Sequence, residues 1–241
     1  MKPSKWGKQN PQAFEGCGRL DYIVNRFRIA TTPIRVKIML TLPHPEKFVA
    51  AYMYLRRYYS SQPFIDGCLF ERRFIDPTDI IGVSDNKRPL HWGEIKGGDW
   101  DLDPEPFTER PVYRALRQHY IKEVPWGETP LKGVFDQKMT EGGAWGYTSV
   151  TEFEERVAEI EQLVESIRTE GYRSKRELAR ESPISTNDPV PPMLDEVTID
   201  IGRDGSVLWR DLGQHRLAIA QLFEVKEIPV YVATRHADLR E

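Results

Sequence analysis

The sequence predicts an α+β fold, a mixed sheet flanked by helices with an N-terminal α/β extension. Three observations carry that expectation. The segment Asp195 to His236 reads as a strand, a hairpin, a helix and a final strand. Thr151 to Glu170 has the period of a long amphipathic helix, and Ile34, Val36, Ile38 and Leu40 alternate as in a half-buried strand.

The C-terminal segment is marked most clearly. Val197, Ile199 and Ile201 alternate with polar residues, Arg203-Asp204-Gly205 supplies a turn, and Ser206 to Trp209 returns as a second strand. Asp211-Leu212-Gly213 breaks the hairpin. Gln214 to Glu224 is then helix-compatible, and Ile228 to Val232 is β-rich, with Pro229 confined to a strand start or an edge.

Upstream, Phe153, Val157, Ile160, Val164 and Ile167 line one face of the 151–170 helix, Ser149-x-x-Glu152 forms a capping box, and Gly171 stops it. Ser174-x-x-Glu177 opens a second, short helix. Helices are also expected over Thr108 to Ile121 and Pro130 to Met139. Residues 182–194 hold four prolines and read as a flexible surface connection.

Three regions follow from these elements. Residues 1–20 read as a mobile arm. An extension over 21–70 carries the 34–41 strand and a helix from Glu46 to Tyr59, whose Phe48, Val49, Tyr52, Leu55 and Tyr59 stripe is expected to be packed core. The principal domain spans 71–241. It opens with short extended runs at Phe74 to Pro77 and Asp79 to Val83, and then a loop from Ser84 to Pro106 whose length exceeds the usual connection and marks it as a functional candidate.

Composition bounds the function classes. The chain has 241 residues, 34 basic and 37 acidic, for a formal charge of −3, so no global field draws it to nucleic acid or an anionic membrane. Cys17 and Cys68 are far apart and lack zinc-ligand spacing, which points to a reducing compartment. No apolar run reaches the roughly 18 residues of a membrane span, and the start has no signal-peptide pattern, so a cytoplasmic location is expected.

Two places carry chemistry. At Gly213-Gln214-His215-Arg216 a helix begins beside a sheet. Its unpaired N–H groups and partial positive charge suit an anion, with phosphate the natural guest and His215 and Arg216 adding donors. The alternative is that Arg216 pairs with Asp211 or Asp200 while His215 caps or packs. In the long loop, Gly97-Gly98-Asp99-Trp100-Asp101-Leu102-Asp103 sets carboxylates at alternate positions, making Asp99 and Asp101 candidates for a general base or Mg²⁺ ligands. An EF-hand is excluded because Pro104 and Arg110 occupy the places of its glycine and bidentate glutamate. The structural alternative has the two aspartates accepting turn hydrogen bonds while Trp100 fills a core gap. His44 and His119 read as ordinary surface residues, and His236 is open to either role.

The run from Gly202 through Gly213-Gln-His-Arg to Leu222, followed by Glu227-Ile-Pro-Val-Tyr-Val232, resembles the ParB/sulfiredoxin-like superfamily. Leu163-Val-Glu-Ser166-Ile167-Arg-Thr-Glu-Gly171 resembles the element that precedes it there, so the likeness covers roughly 150–236. The resemblance implies a ParB/sulfiredoxin-like sheet and nucleotide or phosphate binding, since that superfamily includes partition CTPases, ATP-dependent sulfinic acid reductases, a free-serine kinase and nucleases. Gln214 stands where a sulfiredoxin has its cysteine, and His215-Arg216 replaces the Glu-Arg-Arg triplet of partition proteins. What carries over is phosphate contact at Gly213, His215 and Arg216, which with Gln214 make the phosphate-binding candidates.

Three functions are then open. One is a phosphotransferase or NTPase using a nucleoside triphosphate or diphosphate, with Mg²⁺ on Asp99 or Asp101; it requires both loops at one site. The second is a DNA-binding or nuclease module with Arg168, Arg173, Lys175, Arg176 and Arg180 as further contacts. The third is a non-catalytic scaffold for a phosphorylated or small-molecule partner.

Overall fold

The structure is a computed structural model that describes residues 51, 55, 57–59, 63–64, 70–86, 92–140, 149, 152–181 and 196–239. The chain divides into two compact units, Met1–Val49 and Ala50–Glu241, and every described residue belongs to the second. The expected arm, the 34–41 strand and the proline-rich connection lie outside the described residues. Of the expected 46–59 helix, Ala51, Leu55 and Arg57 to Tyr59 are helical, but Leu55 and Tyr59 are exposed rather than packed as core.

Among the described residues seven strands form one mixed sheet: β1 (Arg72–Ile75), β2 (Ile80–Val83), β3 (Glu94–Lys96), β4 (Glu105–Pro106), β5 (Thr198–Ile201), β6 (Val207–Trp209) and β7 (Ile228–His236). Their order is β1-β7-β5-β6-β2-β4, with β3 also pairing β7. β7 organises the sheet. Its first half pairs antiparallel with β1, its last three residues pair parallel with β3, and β5 runs parallel along its other side. The hairpin β5–β6 is antiparallel, as its turn predicts, and β2 runs parallel to β6. Pro229 is the second residue of β7. Its missing N–H falls before the β5 pairing, which begins at Tyr231.

Two strands lie inside what the sequence suggests is a long loop. β3 and β4 are three and two residues long, too short to show an alternating pattern. β7 extends four residues beyond the expected run, through Ala233 to His236, where polar residues interrupt the β-rich signal.

The helices are α1 (Pro111–Lys122), α2 (Pro130–Thr140), α3 (Glu152–Glu170), α4 (Lys175–Glu181) and α5 (Gln214–Leu222). Both capping boxes form. Ser149 N–H donates to Glu152 Oε2 at 2.8 Å, and Ser174 and Glu177 exchange bonds reciprocally, Ser174 N–H to Glu177 Oε2 at 2.7 Å and Glu177 N–H to Ser174 Oγ at 3.2 Å. Phe153, Ile160, Val164 and Ile167 of α3 are buried, which is the face the periodicity picks out. They join Leu116, Phe135, Ile199, Ile201, Trp209, Leu217 and Ile219 in one core between the helices and one face of the sheet. The alternate residues of the sheet are polar yet buried. Thr198, Asp200 and Thr234 are at most 1% exposed, and Asp200 Oδ2 accepts from Ser84 Oγ (2.6 Å), Asn86 Nδ2 (3.4 Å) and Arg210 Nη1 (2.7 Å).

Candidate functional site

The start of α5 is built by a short, fully tied turn. β6 ends at Trp209. Arg210 N–H then donates to Thr198 O at 2.8 Å, Leu212 N–H to Arg210 O at 2.6 Å, and Trp209 Nε1–H to Leu212 O at 2.7 Å. Asp211 and Gly213 both sit in the left-handed region, at φ 54° and 72°. At Gly213 a Cβ would lie 2.6 Å from Val197 Cα and 2.7 Å from Val197 N, so glycine is required by both backbone shape and space. Gly213 O accepts from Leu217 N–H at 2.9 Å and begins the helix, and no side chain caps it. The N–H groups of Gln214, His215 and Arg216 therefore lack intrahelical partners.

These residues line a cleft of about 300 Å³, walled by Arg156, Glu159, Ile160 and Leu163 of α3, Lys175 of α4, and Asp211 to Arg216. Arg156 reaches across it. One terminal nitrogen donates to Glu159 Oε2 at 2.7 Å, and the other lies 3.3 Å and 3.4 Å from the two ring nitrogens of His215. Burial and this guanidinium push the His215 imidazole down to about 3, so the ring is neutral at physiological pH. His215 thus offers a hydrogen bond, not a charge.

Arg216 is turned away to a different task. Its Nε donates to Tyr172 Oη at 3.1 Å and lies 3.4 Å from Glu196 Oε1, its Nη2 donates to the Arg173 carbonyl, and its guanidinium carbon sits 4.3 Å over the Tyr172 ring. Tyr172 Oη in turn donates to Glu196 Oε1 at 2.7 Å, and Lys175 N–H to Glu196 Oε2 at 2.8 Å. Burial, with the Glu196 carboxylate, raises the Tyr172 phenol above its ordinary range against the pull of Arg216. This network clamps the α3–α4 connection to α5. So Gly213, Gln214, His215 and Arg216 do meet at one cleft, but the arginine that reaches across its mouth is Arg156, 59 residues from His215 and unmarked by any motif.

The acidic loop stands elsewhere. Asp101 is buried, and its Oδ2 accepts from Arg203 N–H at 2.7 Å and Arg203 Nε at 3.0 Å while Oδ1 accepts from Arg203 Nη2 at 2.9 Å. Burial alone would raise its carboxyl, but the Arg203 bonds outweigh that and hold it below the ordinary carboxylate range. Asp99 is exposed and also meets Arg203 Nη2, at 2.9 Å. Trp100 is buried and donates to Lys96 O at 3.3 Å, as the structural alternative requires. His236, nearly fully buried, accepts from Asp238 N–H at Nδ1, so Nε2 carries the proton and donates to Gly98 O at 2.8 Å. The loop is a plug that latches the β5–β6 turn to the end of β7.

With both Asp101 oxygens engaged by Arg203, the Asp99/Asp101 pair as arranged here does not fit Mg²⁺. The loop is also at the wrong end of β5. Gly213 packs on Val197, the residue before that strand, whereas Asp101 packs on Gly202, the residue after it. Five residue steps of extended chain, about 16 Å, separate the two, so Asp99 and Asp101 stand away from a group held at Gly213.

Asp211 and Asp200, the two acids weighed as partners for Arg216, are instead joined by Arg210. That side chain is 2% exposed, with Nη1 on Asp200 and Nε 3.2 Å from Asp211 Oδ2. Burial disfavours its charge, but the two carboxylates overcome this and raise it. Of the basic stretch considered for nucleic acid, Arg168 lies over the Phe223 ring and Arg173 pairs with Glu170. No helix of the described residues is long and apolar enough to cross a membrane. No family model matches the chain, nor does any curated protein or solved structure, so the functional reading rests on the geometry of the cleft at the start of α5.

Proposed function

We propose that this protein binds a phosphate-bearing small molecule of the nucleotide class in the cleft between α3 and the start of α5, as a ParB/sulfiredoxin-like domain. The observation that carries the reading is the uncapped start of α5, its Gln214–Arg216 N–H groups opening on a cleft walled by Arg156 and Lys175. The order β5, β6, Gly213, α5, β7 supports the family reading. The cleft volume lies at the lower end of small-ligand sites, room for a phosphate and a sugar more than for a long polyphosphate. Among the described residues, the carboxylates lining it, Glu159 and Asp211, are each paired with an arginine, so the proposal is one of binding, and phosphoryl transfer is not assigned to this cleft.

Titration calorimetry with inorganic phosphate, ADP, ATP, CTP and GTP, with and without Mg²⁺, tests it. At least one is expected to bind saturably and more weakly at high salt. Arg156→Ala should weaken that binding about tenfold or more, the size of a lost charge-assisted hydrogen bond, with the circular dichroism unchanged. No binding by any of the five at millimolar concentration would end the reading.

A further inference from the structure

Another face of α3 borders a second cavity, of about 380 Å³, whose chemistry is the reverse of the cleft at α5. Trp126 and Phe153 give it aromatic walls, Val157 and Ala158 add aliphatic surface, and Glu154 and Glu161 bring carboxylates. The aromatic walls are fixed in place. Trp126 stacks on His119 with ring centroids 4.3 Å apart, meets the Tyr120 ring edge-on at 6.1 Å, and donates its Nε1–H to Glu161 Oε1 at 2.9 Å. Phe153 packs edge-on against Phe135 at 5.2 Å. Lys132 Nζ lies 5.6 Å from the centre of the Phe153 ring, so one aromatic face of the cavity already holds a cation.

Neither carboxylate is neutralised from within. Among the described residues Glu154 has no ion-pair or hydrogen-bond partner. His119 Nδ1–H donates to the Val124 carbonyl at 2.9 Å, so in the neutral ring Nε2, 4.0 Å from Glu161 Oε1, has no proton to give. Lys132 is held by both oxygens of Asp136, at 2.5 and 2.6 Å. An anion is therefore repelled from the cavity. A neutral apolar guest would strip water from two carboxylates and return nothing. A single metal ion is disfavoured, because Glu161 is tied to Trp126 and the two glutamates, seven residues apart on one helix, stand about 10.5 Å apart along its axis. A chain of methylenes with an ammonium at each end satisfies every part at once. Its methylenes pack on Trp126, Val157 and Ala158, and its cations meet the carboxylates and the ring faces.

We infer that this cavity is a binding site for a linear aliphatic polyamine long enough to span two helical turns, with Glu154 and Glu161 holding its terminal ammonium groups. The site is independent of the phosphate cleft, since α3 turns Arg156 and Glu159 to one and Glu154 and Glu161 to the other.

Calorimetry on the full chain with spermidine, putrescine, n-heptylamine and a trilysine peptide tests it. Spermidine is expected to bind saturably at one site. It should bind about fivefold tighter than putrescine, which is too short to reach both carboxylates, and than n-heptylamine, which has a single charge, a ratio the size of one exposed charge pair. Glu154→Gln and Glu161→Gln should each lower the spermidine affinity by about the same fivefold. The amide oxygen in Glu161→Gln still accepts from Trp126, so the aromatic wall stays in place. Glu155→Gln, exposed on the same helix but outside the cavity, should leave the affinity unchanged. Equal losses in all three variants would reduce the effect to a general attraction toward an acidic helix and overturn the site. Absence of spermidine binding at millimolar concentration would overturn it as well. So would tighter binding of trilysine that Glu154→Gln and Glu161→Gln both weaken, which would assign the cavity to a basic protein segment.

Discussion

The closest approach at the proposed site is between Gly213 and β5, and it makes a measurable claim. Gly213→Ala places a methyl 2.6 Å from Val197 Cα, 2.7 Å from its N and 2.9 Å from its Cγ2, two of them backbone atoms in a fully buried residue that cannot swing aside. Holding a non-glycine residue at φ 72° costs about 1–2 kcal/mol, and forcing α5 off Val197 adds about 1–3 kcal/mol of overpacking. The sum, near 3.5 kcal/mol, corresponds to a fall of about 10 °C in Tm for a unit of this size. Gly205 is the control. It has φ 84° in the β5–β6 turn and nothing within 4 Å of its Cβ position, so Gly205→Ala bears only the backbone term and should lower Tm by about 4 °C. Thermal and urea denaturation of the two variants measure the difference directly. Equal losses would show that no close approach exists at Gly213 and would remove the packing that places the α5 start at the cleft.

Three further outcomes are expected. Arg216→Ala strips the cation from Glu196, which is 2% exposed, and should cost about 3–5 kcal/mol in urea denaturation; a stable variant that merely loses phosphate affinity would return Arg216 to the ligand. Asp101→Ala removes the acceptor of three Arg203 donors and should destabilise by about 2 kcal/mol, since Arg203 is partly exposed and rehydrates. Its ligand affinity by calorimetry should match that of the unaltered chain, and a loss would put the acidic loop back at the site. His215 has a folded pKa near 3 against 6.5 unfolded, so between those values the unfolded chain binds more protons and stability rises with pH. This contribution is complete above pH 6.5 and falls as the solution is acidified, by up to about 1.4 kcal/mol per pH unit. His215→Phe should flatten that slope between pH 5 and 6.5, and a ring-proton titration of His215 near 6.5 by NMR would contradict the burial.

What the sequence disclosed and what it hid both have physical reasons. The hairpin, the α3 face and both capping boxes are local patterns, written within a few residues, and they stand as read. β3 escaped because three residues carry no period, and Arg156 because a charged residue on a helix like α3 is ordinarily solvated; its role exists only through contact with a residue 59 positions away. The exchange of arginines is more instructive. Asp200 and Asp211 were legible as acids needing a cation, but alternation already favoured Arg210. Leu208 pairs with Asp200 across the hairpin, so the residue two further on shares the Asp200 face. Arg216 opens a run of five buried residues, through Ala220, in a helix with no solvent side there. An arginine in that position must find a carboxylate inside the protein, and Glu196, two residues ahead of the strand beside which α5 starts, is where the chain supplies it. The conspicuous basic residue of the motif thus holds the helix in place, and in the proposed phosphate site the anion would fall to backbone N–H groups and to a cation brought from α3.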